Sequence, residues 1–208
     1  MVATVAHIST RGVAGPSDAA LVEAARAGEP WARDALFRRH ARLANGLAFR
    51  LLGRDHEVDD IVQDAYVAVL DGLDGLQDPQ AFASFLASVV VRRVGRLLRR
   101  RRLARRLGLM PRAAPIDVTA FVSPAAPPDA IAELRSIYAI VEELPTDERI
   151  ALLLRRVEGL PLEDVAGLCS CSLATVKRRI AAAEARLVRA QSEPPMAGPA
   201  HSVGRTGT

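Results

Sequence analysis

The sequence predicts an all-α protein made of two small helical domains, joined by a flexible linker rich in proline and alanine. Apolar residues recur at intervals of three and four along most of the chain, which is the period of an amphipathic helix. The sequence lacks alternating β-branched runs bounded by tight-turn dipeptides, the usual sign of a sheet. Two segments rich in proline, 109–128 and 192–208, interrupt the helical pattern and are expected to be a linker and a disordered tail.

These interruptions define the expected organisation of the 208 residues. We expect a flexible N-terminus (1–17), a first domain (18–108), the linker (109–128), a second domain (129–191) and the tail (192–208). A composition of 50% hydrophobic and 25% charged residues is typical of a soluble globular protein. The longest uncharged stretch is 13 residues, whereas a membrane span needs about 18. Since no apolar run follows a basic start at the N-terminus, we expect no secretory signal and a cytoplasmic protein.

The first domain is predicted to contain successive helices, each with its own apolar stripe. A short apolar series at 21–25 is followed by a break at 28–30 and by a longer series that Gly53 is expected to end. A further stripe occupies 58–73, and another occupies 82–98 and continues directly into a run of arginines. We therefore expect the arginines to extend a packed helix.

Two blocks of opposite charge lie within this first domain. Eight acidic residues and no Arg or Lys occur from Asp55 to Asp78. After 13 uncharged residues, nine arginines follow within the 15 positions from Arg92 to Arg106. A helix that is only solvated normally mixes its charges, because like charges at i and i+4 repel. The two charged blocks therefore predict two different binding partners. The alternative is that both blocks only form solvated faces that keep the protein soluble.

The second domain carries the most specific pattern, a helix-turn-helix over Leu160–Ala190. Gly159 is expected to close the preceding helix, and Pro161 suits the first turn of the next one, where its missing N–H is not needed. The segment 169–171 is expected to make the turn, and Ser172 can cap the second helix by accepting from backbone N–H groups ahead of it. This second helix is the candidate for recognition of DNA.

The charge of the second domain is concentrated on this candidate recognition helix. Five basic residues and one acid occur from Cys169 to Ala190, whereas 129–164 has nine acids and four bases. The outward face of the helix carries Lys177 and Arg178, which suit the major groove. A formal charge of +4 and a pI of about 9.8 agree with a polyanionic partner.

Two motifs occur in a fixed order along the chain. The first is Asp60-Ile61-Val62-Gln63-Asp64-Ala65-Tyr66 in the acidic block, and the second is the segment 159–166 together with Thr175-Val176-Lys177. Both resemble motifs of bacterial RNA polymerase sigma factors of the extracytoplasmic-function class: the first is similar to the acidic helix through which such factors hold the polymerase, and the second to their second DNA-binding domain. The resemblance covers 18–190 and implies a region 2-like domain followed by a region 4-like helix-turn-helix domain.

The resemblance implies a protein that binds core RNA polymerase and directs promoter recognition and transcription initiation. Its implied partners are the clamp coiled coil of the largest polymerase subunit and promoter DNA, with an anti-sigma factor as a restraining partner. Neither a membrane nor a small-molecule substrate is expected. The sequence has no phosphate-binding loop, catalytic triad or paired-carboxylate pattern, and its histidines lack ligand spacing. We therefore expect no enzymatic activity, no metal and no cofactor.

The resemblance also assigns roles to individual residues. Contacts to polymerase are implied for Asp60, Gln63 and Asp64. A loop at 76–84 would capture an unstacked base of the minus-ten element, and the helix after it would press on the opening duplex. The implied minus-ten contacts are Phe85, Arg92, Arg93, Arg96, Arg99 and Arg100. The implied minus-thirty-five contacts are Thr175, Lys177, Arg178 and Arg179.

The sequence departs from the family pattern at several of these positions. Phe85 stands where the family usually has Trp, Arg92 where Asn is common, and Arg96 where Asp is common. The two arginines increase the affinity for phosphate, so base-specific contacts are not carried over to them. In the recognition helix, Ala181 and Ala182 replace larger or basic residues, which leaves few side chains to read the minus-thirty-five element.

Two alternative functions of the chain stay open at this point. The chain could be a stand-alone helix-turn-helix regulator that binds an operator through Lys177 and Arg178, although no dimer seam is evident in the sequence. It could also be an inactive sigma-like interaction module in which Arg92 and Arg96 have abolished promoter melting.

The two cysteines, Cys169 and Cys171, are expected to pack in the turn. Cysteines separated by a single residue neither form a disulfide that stabilises a fold nor complete a four-ligand zinc site.

Overall fold

The computed structural model describes residues 15–53, 57–109 and 126–192. Most of the predicted linker, of the predicted tail and of the predicted flexible N-terminus lies outside these residues, although α5 begins at the last linker position and α8 ends at the first tail position. Within them the chain forms eight α-helices and two short 3-10 turns, with no strand, which confirms the all-α prediction. The helices are α1 (Asp18–Arg26), α2 (Pro30–Leu52), α3 (Val58–Asp71), α4 (Phe82–Arg106), α5 (Pro128–Glu143), α6 (Thr146–Arg156), α7 (Leu162–Leu168) and α8 (Leu173–Ser192).

The first helix begins at a capping residue that was not predicted from the sequence, whereas the second helix begins and ends at predicted positions. Ser17 caps α1, because its hydroxyl accepts a hydrogen bond of 3.2 Å from the Ala20 N–H. Pro30 occupies the first turn of α2, where its missing N–H leaves no bond unmade. Gly53 ends α2 with φ of +71°, a left-handed conformation that glycine adopts without a Cβ clash.

The arginine run does extend a packed helix, as predicted. After α3 the chain makes 3-10 turns at Leu73–Gly75 and Pro79–Ala81, and α4 then runs unbroken for 25 residues to Arg106. At 1.5 Å per residue this helix is about 37 Å long. The expected base-capturing loop at 76–84 is shorter than the sequence suggested, because the second 3-10 turn and the first turn of α4 occupy most of it.

The helix-turn-helix forms from α7 and α8 as expected. Ser172 caps α8 by accepting a hydrogen bond of 3.2 Å from the Thr175 N–H. The expectation that Gly159 closes the preceding helix is wrong: α6 ends at Arg156 with Val157 as its cap, and Gly159 supplies a φ of +68° in the connection to α7. The helix therefore ends three residues before Gly159, and the glycine serves the following turn.

Buried side chains from α1–α4 and from α5–α8 join in one hydrophobic core. The two groups of helices meet where α6 crosses α4. Gly95 is at this crossing, and a Cβ on it would lie 3.3 Å from Ile150 Cδ1. The small residue thus lets the two helices approach closely, and Ile150 fills the space that a side chain at 95 would take.

Candidate functional site

The acidic residues predicted to hold polymerase share one exposed face of α3. Asp60, Gln63 and Asp64 are spaced by three and four positions, which places them on the same side of the helix. Ala65 on the opposite side is buried in the core, and this burial fixes the outward direction of the three polar side chains. Val67 continues the stripe and is 54% exposed. The face therefore combines carboxylates with an uncovered apolar side chain.

The acidic and basic blocks contact each other, which the sequence did not predict. Arg93 Nη1 of α4 lies 4.0 Å from Asp64 Oδ2 of α3, and Arg101 forms an ion pair with Glu57 at the start of α3. The contact between α3 and α4 therefore balances part of each block internally. The remaining charge is carried by residues whose side chains point away from this contact.

The residues predicted to contact the minus-ten element lie along α4. Arg92, Arg96, Arg99 and Arg100 are exposed, whereas Phe85 and Arg93 are half-buried. The Phe85 ring packs against the end of α3, where a Cβ on Gly72 would lie 3.4 Å from Phe85 Cζ. These side chains therefore present positive charge along a rigid helix, with an aromatic ring at its start.

The residues predicted to read the minus-thirty-five element are not equally available. Lys177 and Arg178 are exposed on the outward face of α8. The Thr175 hydroxyl lies 2.9 Å from Ser172 Oγ, so it is already engaged at the helix cap. Arg179 is half-buried and lies 3.4 Å from Cys171 Sγ. Lys177 and Arg178 are thus the side chains best placed to enter a groove.

A single carboxylate binds arginines from both groups of helices. Arg99 Nη1 of α4 donates to Asp147 Oδ1 at 2.9 Å, and Arg179 Nη2 of α8 donates to Asp147 Oδ2 at 2.9 Å. A cavity of about 150 Å³ lies beside them and is also lined by Arg92 and Cys169. Asp147 therefore pairs at the same time with one arginine predicted to contact the minus-ten element and one predicted to contact the minus-thirty-five element.

Two further contacts hold the groups of helices together, and neither was foreseen from the sequence. Arg149 is 4% exposed, and its Nη2 donates to the carbonyl oxygens of Leu51 at 2.9 Å and Leu52 at 3.2 Å. These carbonyls belong to the last turn of α2, where no intrahelical N–H is available to them. Arg50 Nη2 donates to Glu158 Oε2 at 2.8 Å. In the sequence, Arg149 is simply one charge beside the apolar run that follows it.

The two cysteines pack in the turn between α7 and α8, as expected. Both are partly buried and contact the core. Burial raises the pKa of the Cys169 thiol to about 12, with the neighbouring Cys171 as the second cause. The thiol therefore stays protonated at neutral pH and is a poor nucleophile.

The described parts of the chain hold neither a candidate metal site nor a membrane-spanning helix. Within 15–53, 57–109 and 126–192, no group of three or more histidine, cysteine or acidic side chains is arranged to hold a metal ion. None of the helices in these ranges is long and apolar enough to cross a membrane.

The helical fold, the exposed acidic face and the basic helix-turn-helix define a two-domain DNA-binding protein of the sigma type. Residues 36–104 match the family model of Sigma-70 region 2, and residues 134–187 match that of Sigma-70, region 4. The chain is 34% identical over 177 residues to the ECF RNA polymerase sigma factor SigM of Mycobacterium tuberculosis, a match that covers 83% of this chain and 84% of that protein. The chain belongs to the extracytoplasmic-function (ECF) class of RNA polymerase sigma factors.

Other relatives and solved structures agree with this assignment. The ECF RNA polymerase sigma-E factor of Haemophilus influenzae is 28% identical over 170 residues, covering 79% of this chain and 89% of that protein. The structure of CnrH in complex with the cytosolic domain of CnrY matches with a TM-score of 0.53 and 27% identity, over 84% of this chain and 96% of that chain. RpoE of Bartonella quintana, solved with the anti-sigma factor NepR, shares the fold, with a TM-score of 0.53 and 21% identity over 72% of this chain and 89% of that chain.

Membership of this class decides between the functions left open by the sequence. The chain binds core RNA polymerase and directs promoter recognition and transcription initiation. A stand-alone regulator and an inactive sigma-like module are not favoured, because regions 2 and 4 are both present in the order that a sigma factor requires.

Proposed function

We propose that three surfaces of the chain share the work of a sigma factor. The exposed face of α3 with Asp60, Gln63 and Asp64 binds the polymerase clamp. The helix α4, with the turns before it, engages and opens the minus-ten element, and α8 reads the minus-thirty-five element. The observation that carries the proposal is the exposed acidic face of α3 packed directly beside the exposed arginines of α4.

The composition of the α3 face supports its assignment to polymerase. Protein interfaces commonly have an apolar centre within a polar rim. Val67 provides an exposed apolar side chain on the same stripe as Asp60 and Asp64. The carboxylates would attract a basic partner over a distance, and the apolar contact would then retain it.

The arginines of α4 support its assignment to DNA opening. Guanidinium groups bind phosphate oxygens in a bidentate manner and stay charged at any physiological pH. Arg92, Arg96 and Arg100 project from one continuous helix, so their relative positions are fixed before DNA arrives. A fixed row of cations suits a strand whose phosphates are regularly spaced.

The outward face of α8 supports sequence reading in the major groove. Lys177 and Arg178 are exposed and can donate to the O6 and N7 atoms of guanine. Thr175 and Arg179 are engaged at the cap and at Asp147, so we assign them to phosphate contacts made once the domain rearranges on DNA. Base discrimination at this element would then depend on two side chains.

The proposal extends to regulation, location and chemistry. CnrH was solved with the cytosolic domain of CnrY, and RpoE of B. quintana with an anti-sigma factor. We propose a protein of the anti-sigma kind as a restraining partner of this chain. The chain works in the cytoplasm, where polymerase and promoters meet, and catalyses no reaction of its own. The domain boundaries 18–108 and 129–191 remain part of this proposal.

The test is co-elution of the protein with bacterial core RNA polymerase on a sizing column. We expect wild type to co-elute and the double variant Asp60→Arg/Asp64→Arg to elute alone with unchanged helicity. The matched control is Glu133→Arg/Glu163→Arg, which makes the same change of charge at exposed positions on α5 and α7. Co-elution of the Asp60/Asp64 variant would remove α3 from the interface, and a folded wild type that does not co-elute would overturn the proposal.

A further inference from the structure

Arg26, at the end of α1, reaches the turn that joins α3 to α4. Its Nε and Nη2 atoms donate to the Leu73 carbonyl at 3.2 and 3.0 Å, and Nη2 also donates to the Leu76 carbonyl. Its Nη1 pairs with Glu23 at 2.7 Å. The side chain is 22% exposed. One guanidinium group therefore ties two carbonyls of this turn to α1.

Most of this turn is exposed. Leu73 is buried, but Asp74, Gly75, Gln77 and Asp78 are exposed. The Leu73 carbonyl accepts one backbone hydrogen bond, from the Leu76 N–H at 3.1 Å, and its oxygen has a second lone pair. Glycine adds backbone freedom to the turn. The bonds from Arg26 use the second site on the Leu73 carbonyl and also bind the Leu76 carbonyl.

The far side of the same segment is tied by a second contact. Asp78 Oδ1 accepts a hydrogen bond of 2.9 Å from the Gln80 N–H, which caps the 3-10 turn before α4. The segment from one tied residue to the other, 76–78, is thereby held as a short arch. The arch stands at the N-terminal end of α4, close in sequence to the Phe85 ring.

We propose that Arg26 is a positioning residue for promoter opening: it holds the arch at 76–78 where a base that leaves the minus-ten duplex is received. This inference depends on the proposed function, which assigns base capture to the segment before α4. Arg26 does not touch DNA itself. It acts by keeping the arch preformed, so that a base is captured without first ordering the backbone.

Arginine is required here for a geometric reason. Its planar fork directs several N–H donors at fixed angles, so one side chain binds the Leu73 and Leu76 carbonyls and Glu23 together. Lysine has the same charge, but its single ammonium group cannot reproduce this spread. Arg26→Lys should therefore fall between wild type and a neutral variant.

The test uses holoenzyme assembled from the full chain and core polymerase, with forked promoter probes that carry each of the four bases at the single-stranded minus-ten position. We expect wild type to bind the probe with one particular base more tightly than the other three. In Arg26→Met the ratio of these affinities should fall by about tenfold, because hydrogen bonds from a charged donor are removed. Core binding, minus-thirty-five binding and Tm should change little. Arg33→Met is the matched control, since Arg33 is an exposed arginine on α2.

The outcomes separate this inference from the proposed function. Undiminished base preference in Arg26→Met would overturn the positioning role while leaving the proposed function intact. A wild-type holoenzyme without any base preference at that position would overturn the assignment of base capture to this segment, and the role of Arg26 with it. If Arg26→Met does not fold, Arg26→Lys decides, with a preference equal to wild type as the contradicting result.

Discussion

Arg149 Nη2 donates a hydrogen bond of 2.9 Å to the carbonyl oxygen of Leu51, although the two residues belong to different groups of helices. The acceptor lies at the C-terminal end of α2, where the helix dipole is negative. Because Arg149 is buried, its removal would leave carbonyls in the interface without a donor. The carbonyl oxygen of Leu51 at the end of α2 therefore receives this hydrogen bond only while the two groups of helices are in contact.

The closed arrangement does not match the distance between promoter elements. Elements centred ten and thirty-five base pairs upstream are separated by roughly 85 Å along B-DNA, at about 3.4 Å per base pair. A folded chain of this length measures about 45 Å across. On the proposed assignment of one promoter element to each group of helices, the two groups would have to separate for both elements to be bound, and we expect the contacts made by Arg149 and Asp147 to break.

The first prediction concerns the Arg149 contact. Arg149→Met keeps an extended apolar stem but removes the donors to Leu51 and Leu52, so we expect the free protein to open. Small-angle X-ray scattering should show a radius of gyration larger than that of wild type by about a fifth or more, since separated domains place their mass farther from the common centre than packed domains do. Arg155→Met is the control, because Arg155 donates to Leu160 within its own group of helices. An unchanged radius in Arg149→Met would contradict the prediction.

The second prediction concerns the carboxylate shared by two arginines. Asp147→Asn removes the charge that pairs with Arg99 and Arg179. We expect the free protein to bind a minus-thirty-five duplex several-fold more tightly, with a steeper dependence on salt, because more cations are available for phosphate. Fluorescence anisotropy across a salt series measures both quantities. Glu163→Gln removes one exposed charge elsewhere, and equal effects of the two variants would refute a specific role for Asp147.

The third prediction concerns the exposed face of α8. Lys177→Ala/Arg178→Ala removes the two side chains best placed for guanine edges, so we expect minus-thirty-five binding by the holoenzyme to fall by about tenfold or more. Binding to core polymerase should not change. Arg189→Ala, at the exposed far end of the same helix, is the control. Unchanged minus-thirty-five binding would contradict the assignment to recognition, whereas loss of both polymerase and DNA binding would indicate misfolding.

The fourth prediction concerns a buried histidine in the first group of helices. His40 lies 2.9 Å from Asp18 Oδ2 and packs against the Phe82 ring. Burial lowers the pKa of His40 below 6.5, and Asp18 opposes that shift only in part. Below about pH 6.5 the unfolded chain therefore binds a proton at this residue that the folded chain binds less readily.

Stability from His40 is thus fully present above about pH 6.5 and falls as the pH is lowered through that value. We expect the free energy of unfolding, measured with urea, to decrease from about pH 7.5 to about pH 5.5 in wild type. His40→Gln should show a smaller decrease over this interval, whatever its absolute stability. Equal pH dependence in the two proteins would remove His40 as the source.

Much of the fold could be predicted because its signals are local. Gly53 ends α2 and Ser172 caps α8 for reasons that depend only on neighbouring backbone groups. The continuation of α4 through its arginines follows from an unbroken helical period. The end of α6 was misplaced, because Gly159 has the conformation of a helix terminator but serves the connection to α7.

The candidate surfaces were predicted by spacing, whereas the contacts between them were not. Exposure of Asp60 and Asp64 follows from their positions opposite an apolar stripe. The bond from Arg149 to Leu51 joins residues 98 positions apart, and no local period carries that information. The dual role of Asp147 likewise depends on how α4 and α8 meet, which is set by the packing of α6 against both.

The burial of α4 along most of its length gives it a mechanical role. Its first turn is anchored by Phe82, which is fully buried, whereas its last turn carries the exposed Leu103, and the exposed Leu107 follows its end at Arg106. Buried residues from Phe82 to Leu98 hold most of α4 in the core, and none of its residues after Leu98 is buried. On the proposed assignment to the minus-ten element, the arginines of α4 would therefore move across the duplex only together with the first group of helices, as parts of one rigid body.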